Sequence, residues 1–323
     1  MSEAGTARAS DGKGAGRRRG RRGEQLMVPR AEFASYYGRP IIKAPSWAPQ
    51  DIAGYFFLGG LAGAGSVLAA GAQLTGRPTT ASAMKLSSLA AVSLSAAALV
   101  HDLGRPGRFA NMLRVFKPTS PMSVGSWLLA VYGPAAGAAA LTSVTGRLPR
   151  AGAAATAGAA LLGPAVASYT AVLAADTAVP AWHGAHRELP YLFAASATAA
   201  AAGMALVVGP SHENTPARCA APLAALAEAA ATRCARRRLG MVAETYEEGR
   251  AGALLKAAEV LSAVGALAGA LAGHRRPVAV ASGVALLAGS VCTRFGIFAA
   301  GVASAEDPRY TVVPQRAGLD AAP

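Results

Sequence analysis

A series of uncharged, apolar runs, each about as long as a bilayer is thick, constrains this chain more than any other feature. A helix needs roughly 20 apolar residues to cross the hydrocarbon core. Only a helix or a closed barrel satisfies every backbone N–H and C=O there without water. Runs of that order occupy residues 52–74, 118–146, 151–175 and 189–211. Three further runs carry charge. Residues 79–100 hold Lys85 near one end, where a long side chain snorkels to the interface. Residues 277–304 hold Arg294, and residues 252–273 hold Lys256 and Glu259 in their first turns. An eighth run, 217–235, is short and interrupted by Glu228. These runs predict an all-α fold: an integral membrane helical bundle of about eight transmembrane helices, with both termini on the same side.

Composition agrees with that reading. Hydrophobic residues make up 53% of the chain and charged residues 15%, against about a quarter charged in soluble domains. The apolar content is rich in Ala and Gly, small residues that let helices approach closely in lipid. Gly59 and Gly63, with Gly60 and Ala64, form small-xxx-small ridges in the first run. No polar turn or amphipathic helix accompanies these glycines, which excludes a phosphate-binding loop.

The expected domain order is a basic tail over residues 1–46, a transmembrane domain over 47–305 and a C-terminal tail over 306–323. The first tail contains Arg17-Arg18-Arg19-Gly20-Arg21-Arg22. It lacks the apolar core of a signal peptide, so no cleavage is expected. Two readings stand for it: attachment to anionic membrane lipid or an acidic partner, and a solvated tail that helps set topology. Lys and Arg concentrate on the side of the termini, with ten in residues 1–50 and more in the connections near 105–117, 187, 233–250 and 309–316. The opposite side has Arg77, Arg147, Arg150, Arg218, Arg275 and Arg276. The positive-inside rule then predicts a multi-pass protein of the plasma membrane with both termini cytoplasmic. The net charge of +14 follows from this asymmetry, and no nucleic acid is needed to explain it.

Redox cofactors are limited by ligand counts. The three cysteines, Cys219, Cys234 and Cys292, contain no C-x-x-C pair. An iron–sulfur cluster takes about four thiolates, so none is expected in this chain. His101, His183, His186, His212 and His274 all fall at run ends or in connections, whereas a membrane haem needs axial histidines deep in facing helices. His183-x-x-His186 lacks further ligands for a metal, and no metal site is assigned.

Ionisable groups near the bilayer are functional candidates because they are costly to place there. They include the pair His101-Asp102, Asp176 and Arg294. Helix rise puts Asp176 and Arg294 at similar depth, where they could pair. Such a pair either handles protons or holds two helices in register, and both readings stay open. Glu228 and Glu259 read as half-buried interfacial residues. Trp47, Tyr55, Trp127, Tyr132, Trp182, Tyr191 and Tyr310 read mostly as an interfacial aromatic belt. Tyr169 differs, because it lies inside a run, two turns before Asp176, and a buried phenol needs a partner.

The segment His101-Asp102-Leu103-Gly104-Arg105-Pro106-Gly107-Arg108-Phe109, followed by Ser120-Pro121-Met122-Ser123-Val124-Gly125-Ser126-Trp127, resembles the signature of the NrfD/polysulfide reductase membrane-subunit family. The resemblance continues through Tyr169-Thr170-Ala171-Val172-Leu173, Pro180-Ala181-Trp182 and Leu189-Pro190-Tyr191-Leu192-Phe193. It resumes at Thr293-Arg294-Phe295-Gly296 and at Ala303-Ser304-Ala305-Glu306-Asp307-Pro308, so it covers about residues 50–316 and is thin over 212–275. It implies a subunit that exchanges electrons between menaquinone or ubiquinone and an iron–sulfur, ferredoxin-like partner, which serves a molybdopterin catalytic subunit. It also implies a quinone pocket in the first helical bundle, with no haem or cluster in the chain. Carried to matching positions, His101 and Asp176 are the proton-handling candidates, and Tyr169, Asp102 and Arg105 the quinone-binding ones. Where the family often has polar ligands before the first span, Gln50 and Asp51 stand here, and the usual Tyr-Thr-Gly reads Tyr169-Thr170-Ala171. The charge census points to a cytoplasmic partner enzyme, of formate dehydrogenase type. Other classes remain: a proton- or ion-translocating or transporter-like subunit, and a passive anchor.

Overall fold

A computed structural model describes residues 41–320 except 44, 46 and 103–106, with side chains undescribed at 108–110 and 315–320. The basic tail with Arg17–Arg22, and Arg105, therefore lie outside the described residues. Twelve α-helices occur among the described residues, and no strands. They are α1 Pro49–Leu74, α2 Pro78–Asp102, α3 Gly107–Met112, α4 Pro121–Thr145, α5 Pro149–Ala175 and α6 Pro180–Gly184. There follow α7 Leu189–Val208, α8 Thr215–Leu239, α9 Glu244–Glu247, α10 Gly249–Ala272, α11 Arg276–Glu306 and α12 Arg309–Asp320.

Proline sets most of the starts. Pro49, Pro121, Pro149, Pro180, Pro190, Pro216 and Pro277 each stand in the first positions of a helix. The ring fixes φ there and the missing N–H would have had no intrahelical partner. Seven of the helices, α1, α2, α4, α5, α7, α10 and α11, are long and apolar enough to cross a membrane. The run at 217–235 is also a long helix, α8, but its composition is too polar to meet that measure.

The long helices pack as two four-helix groups with the same neighbour pattern. In the first, α1 lies on α2 and α5, and α4 on α5 and α2; in the second, α7 lies on α8 and α11, and α10 on α11 and α8. The helices that face the other group, α1 with α5 and α7 with α11, meet through glycine in both groups. A side chain on Gly63 or Gly163 would strike the other glycine's carbonyl, and Gly203 and Gly283 face each other in the same way. This is the close approach that small residues permit in lipid. Contacts of α7 with α1 and α5, and of α11 with α1, join the groups.

At the end where α2, α5 and α8 finish, α6 packs on α11. Trp182 is buried there, donates from Nε1 to the Ile297 carbonyl (2.8 Å) and stacks on Trp47 (centroids 5.7 Å). At the other end, arginines close helix C-termini. Arg276 donates to the carbonyls of Leu206, Val207 and Gly209 on α7, and Arg218 to those of Gly269 and Ala270 on α10. Cations are favoured at that end of the helix dipole.

Two expectations need correction. Tyr55, Tyr132, Trp182 and Tyr310 are buried in the core, not in an interfacial belt, while Tyr191 and Trp127 are exposed. Most of them lie near span ends, with Tyr132 midway along α4, but only packing decides whether a ring points inward. Arg294 does not pair with Asp176. Asp176 is the exposed C-cap of α5, whereas α11 runs on to Glu306 and leaves Arg294 twelve residues inside it, fully buried.

Candidate functional site

The N-terminus of α1 is clipped to the C-terminus of α2. The Ala48 N–H donates to Asp102 Oδ1 (3.3 Å), and His101 Nδ1 lies 2.8 Å from Asp51 Oδ2. The His101 side chain is 80% exposed and that of Asp51 20%, so the pair stands at the boundary with one member open to solvent. Asp51 also occupies the first turn of α1, where a carboxylate complements the helix dipole.

Four residues further along α1, on the same face as Asp51, comes Tyr55. Its hydroxyl hydrogen-bonds the Tyr169 hydroxyl from α5, with the rings edge-to-face at 6.3 Å. Both phenols are buried. Ser95 of α2 donates to the Tyr55 carbonyl (3.2 Å), and Gly125 of α4 leaves room for the Tyr169 ring. Thus all four helices of the first group position one phenol pair. Tyr55 is the residue that sequence reasoning missed, having assigned it to the belt. The signal available was its four-residue spacing from Asp51.

The pair has unspent capacity. Two hydroxyls carry two protons, and the mutual bond uses one. Among the described residues, no other hydrogen-bond partner reaches either oxygen. Tyr132, deeper on α4, contrasts with this: it donates to the Ala62 carbonyl and pairs with Ser66, both at 2.6 Å. A carbonyl oxygen brought to the Tyr55–Tyr169 pair would accept its remaining proton.

Of the residues singled out from sequence, His101, Asp102 and Tyr169 are brought to this end of the first group. Arg105 lies outside the described residues. Asp176 stands exposed at the end of α5, with no hydrogen bond or ion pair from its side chain to the others among the described residues. No group of three His, Cys, Asp or Glu side chains suited to a metal occurs among the described residues.

A second polar group lies in the other half. Glu228 of α8 is buried, against expectation, and both its oxygens accept hydroxyls: Thr293 of α11 at 2.6 Å and Ser262 of α10 at 3.4 Å. One residue on, Arg294 donates from Nη2 to the Phe193 carbonyl (2.6 Å) and lies 3.8 Å over the Phe193 ring. Gly60 of α1 makes room for this guanidinium, and its Nε and Nη1 have no partner among the described residues. Arg294 therefore sits where α1, α7 and α11 meet, between the two groups. These contacts come from distant helices and leave no local mark in the sequence.

A family model described as polysulphide reductase, NrfD, matches residues 46–213. The matched residues include the His101–Asp102 clip and the phenol pair, and they stop short of α8. The resemblance read at residues 293–308 lies beyond them. No curated protein matches the chain.

Proposed function

Because the chain belongs to the NrfD family of polysulphide reductase membrane subunits, we propose that it exchanges electrons between the membrane quinone pool and an iron–sulfur partner, with the quinone head group held at Tyr55 and Tyr169. The multi-pass bundle is the membrane part of such a complex. One observation carries the reading: a buried phenol pair with one unspent proton, lying one helical turn inside a boundary carboxylate–imidazole pair.

When bound, a quinol supplies two electrons and two protons. Tyr169 and Tyr55 hold and orient the head group through the phenolic hydroxyls. Phe56 and Phe193, packed at 5.6 Å, keep water from this side of the pair. Asp51 accepts the proton from the direction of Tyr55, and His101 passes it to solvent. Asp102 fixes the first turn of α1, so it positions Asp51 without touching the head group. Asp176, at the same boundary, is a second proton acceptor. Arg105 and Arg108, which lie between α2 and α4 in the sequence, serve docking of a ferredoxin-like subunit, which serves a molybdopterin enzyme. Menaquinone and ubiquinone both meet the carbonyl requirement.

The test is quinol-linked electron transfer in membranes holding the assembled complex. Tyr169→Phe is expected to lower the rate at least about tenfold, and His101→Ala to lower it with a changed pH profile. Unchanged rates in both variants overturn the site.

The buried Glu228–Thr293–Ser262 group and Arg294 favour a second reading, proton translocation through the other half. Glu228→Gln in proteoliposomes decides it. Fewer protons moved per electron, with electron transfer kept, supports translocation; an unchanged ratio removes it.

A further inference from the structure

Between α8 and α10 runs a cleft of about 380 Å³, which lies wholly beyond the family-matched residues. Its lining on α8 extends from Pro222 to Arg236, about 21 Å at 1.5 Å per residue. That length exceeds half of a hydrocarbon core, about 15 Å, so the trough is long enough for much of an acyl chain. Alanine and leucine make up half of the lining residues, and Leu226 and Leu267 at its edges are 69% and 60% exposed. The opening therefore faces lipid.

The polar groups divide into two sets. On the floor, Glu228, Thr293 and Ser262 are closed on each other by the bonds described above, so nothing there requires a hydrogen-bonding ligand. The unspent groups lie on the side of the cleft towards the end of α8 and the start of α10, with Glu259 one turn from Ser262. Arg233 and Arg236 line the cleft from α8 and Glu259 lines it from α10. None of the three has an ion-pair partner among the described residues. The Arg236 Nε is buried with no hydrogen-bond partner among those residues. Neighbouring Arg238, by contrast, is committed to Glu188 at 3.3 Å.

We propose that this cleft is a phospholipid site, with one acyl chain lying along the α8–α10 trough, its phosphate on Arg233 and Arg236, and the ammonium of an ethanolamine head on Glu259. Guanidinium forks match phosphate oxygens in a way a quinone carbonyl does not exploit. Two cations and one carboxylate complement a zwitterionic head better than a purely anionic one. The closed floor tolerates a hydrocarbon chain and offers a redox ring no donor.

Native mass spectrometry of the intact complex tests this. The complex is delipidated in mild detergent, then offered phosphatidylethanolamine, phosphatidylglycerol or diacylglycerol. Phosphatidylethanolamine is expected to be retained best and diacylglycerol least. Arg233→Ala with Arg236→Ala should reduce retention at least tenfold, and Glu259→Gln should shift preference towards phosphatidylglycerol. Ala263→Phe fills the trough and should abolish retention while leaving these polar groups intact, which guards against misfolding of the arginine variant. Equal retention of diacylglycerol, unchanged retention in the double variant, or displacement by a quinone analogue alone overturns the proposal.

Discussion

Glu213 lies between α7 and α8, yet it holds the start of a helix 133 residues away, accepting the Thr80 N–H at 2.7 Å. Burial alone would raise its pKa, but the N–H groups of Thr79 and Thr80 outweigh that and hold the carboxyl below the ordinary glutamate range. A depressed folded value means the stabilisation is present above the unfolded value, about 4.3, and is lost as pH falls through the folded one. The thermal midpoint in detergent should therefore fall more steeply below about pH 4.3 in the unaltered protein than in Glu213→Gln. Parallel profiles would remove this role. Nothing around Glu213 in the sequence announces its partner. The same holds for Glu228, whose two hydroxyl donors come from α10 and α11. Arg294 stood out as a charge within an apolar run, but its surroundings depend on which helices cross beside it.

At the scale of elements, the sequence was far more legible. Hydropathy is summed over a whole run, and prolines mark the starts, so the expected spans fall within a few residues of the helices. Glycine contacts were readable only in part. Gly63 lay in a visible ridge, but its partner Gly163 gave no sign of facing it. Gly163→Leu should destabilise by about 1–3 kcal/mol through overpacking, whereas Gly71→Ala on the open face of α1 should be neutral or slightly stabilising. Thermal unfolding of the purified protein measures both. The polar composition of α8 raises a separate question. It packs against α7 and α10 as α2 packs against α1 and α4, a placement suited to crossing. Cys219 and Cys234 lie near its two ends and both are exposed. In single-cysteine variants, an impermeant maleimide should reach Cys234 only from the side of the termini and Cys219 only from the other. Labelling of both from one side excludes a crossing.

For the whole molecule, the two groups differ in what they carry. The first carries the phenol pair and the His101–Asp51 pair, within the family-matched residues; the second carries the α8–α10 cleft, outside them. Positive charge is also unevenly used. On the sparser side, Arg218 and Arg276 are engaged with helix carbonyls. On the other side, the connections after α2 and α8 hold more. The positive-inside rule predicts that this end faces the cytoplasm. A C-terminal reporter should be active only as a cytoplasmic fusion, and activity outside the cell reverses the orientation and the side of partner docking.

The Trp47–Trp182 stack has a use of its own. Two indoles 5.7 Å apart and 16° from parallel share their excited states, and the third tryptophan, Trp127, packs elsewhere on Phe116. The chain thus carries a built-in optical probe at the end where α1 begins and α6 lies. Its near-ultraviolet dichroism reports whether the start of α1 is seated, and a protein that binds this face and shifts α1 will change the spectrum without any added label.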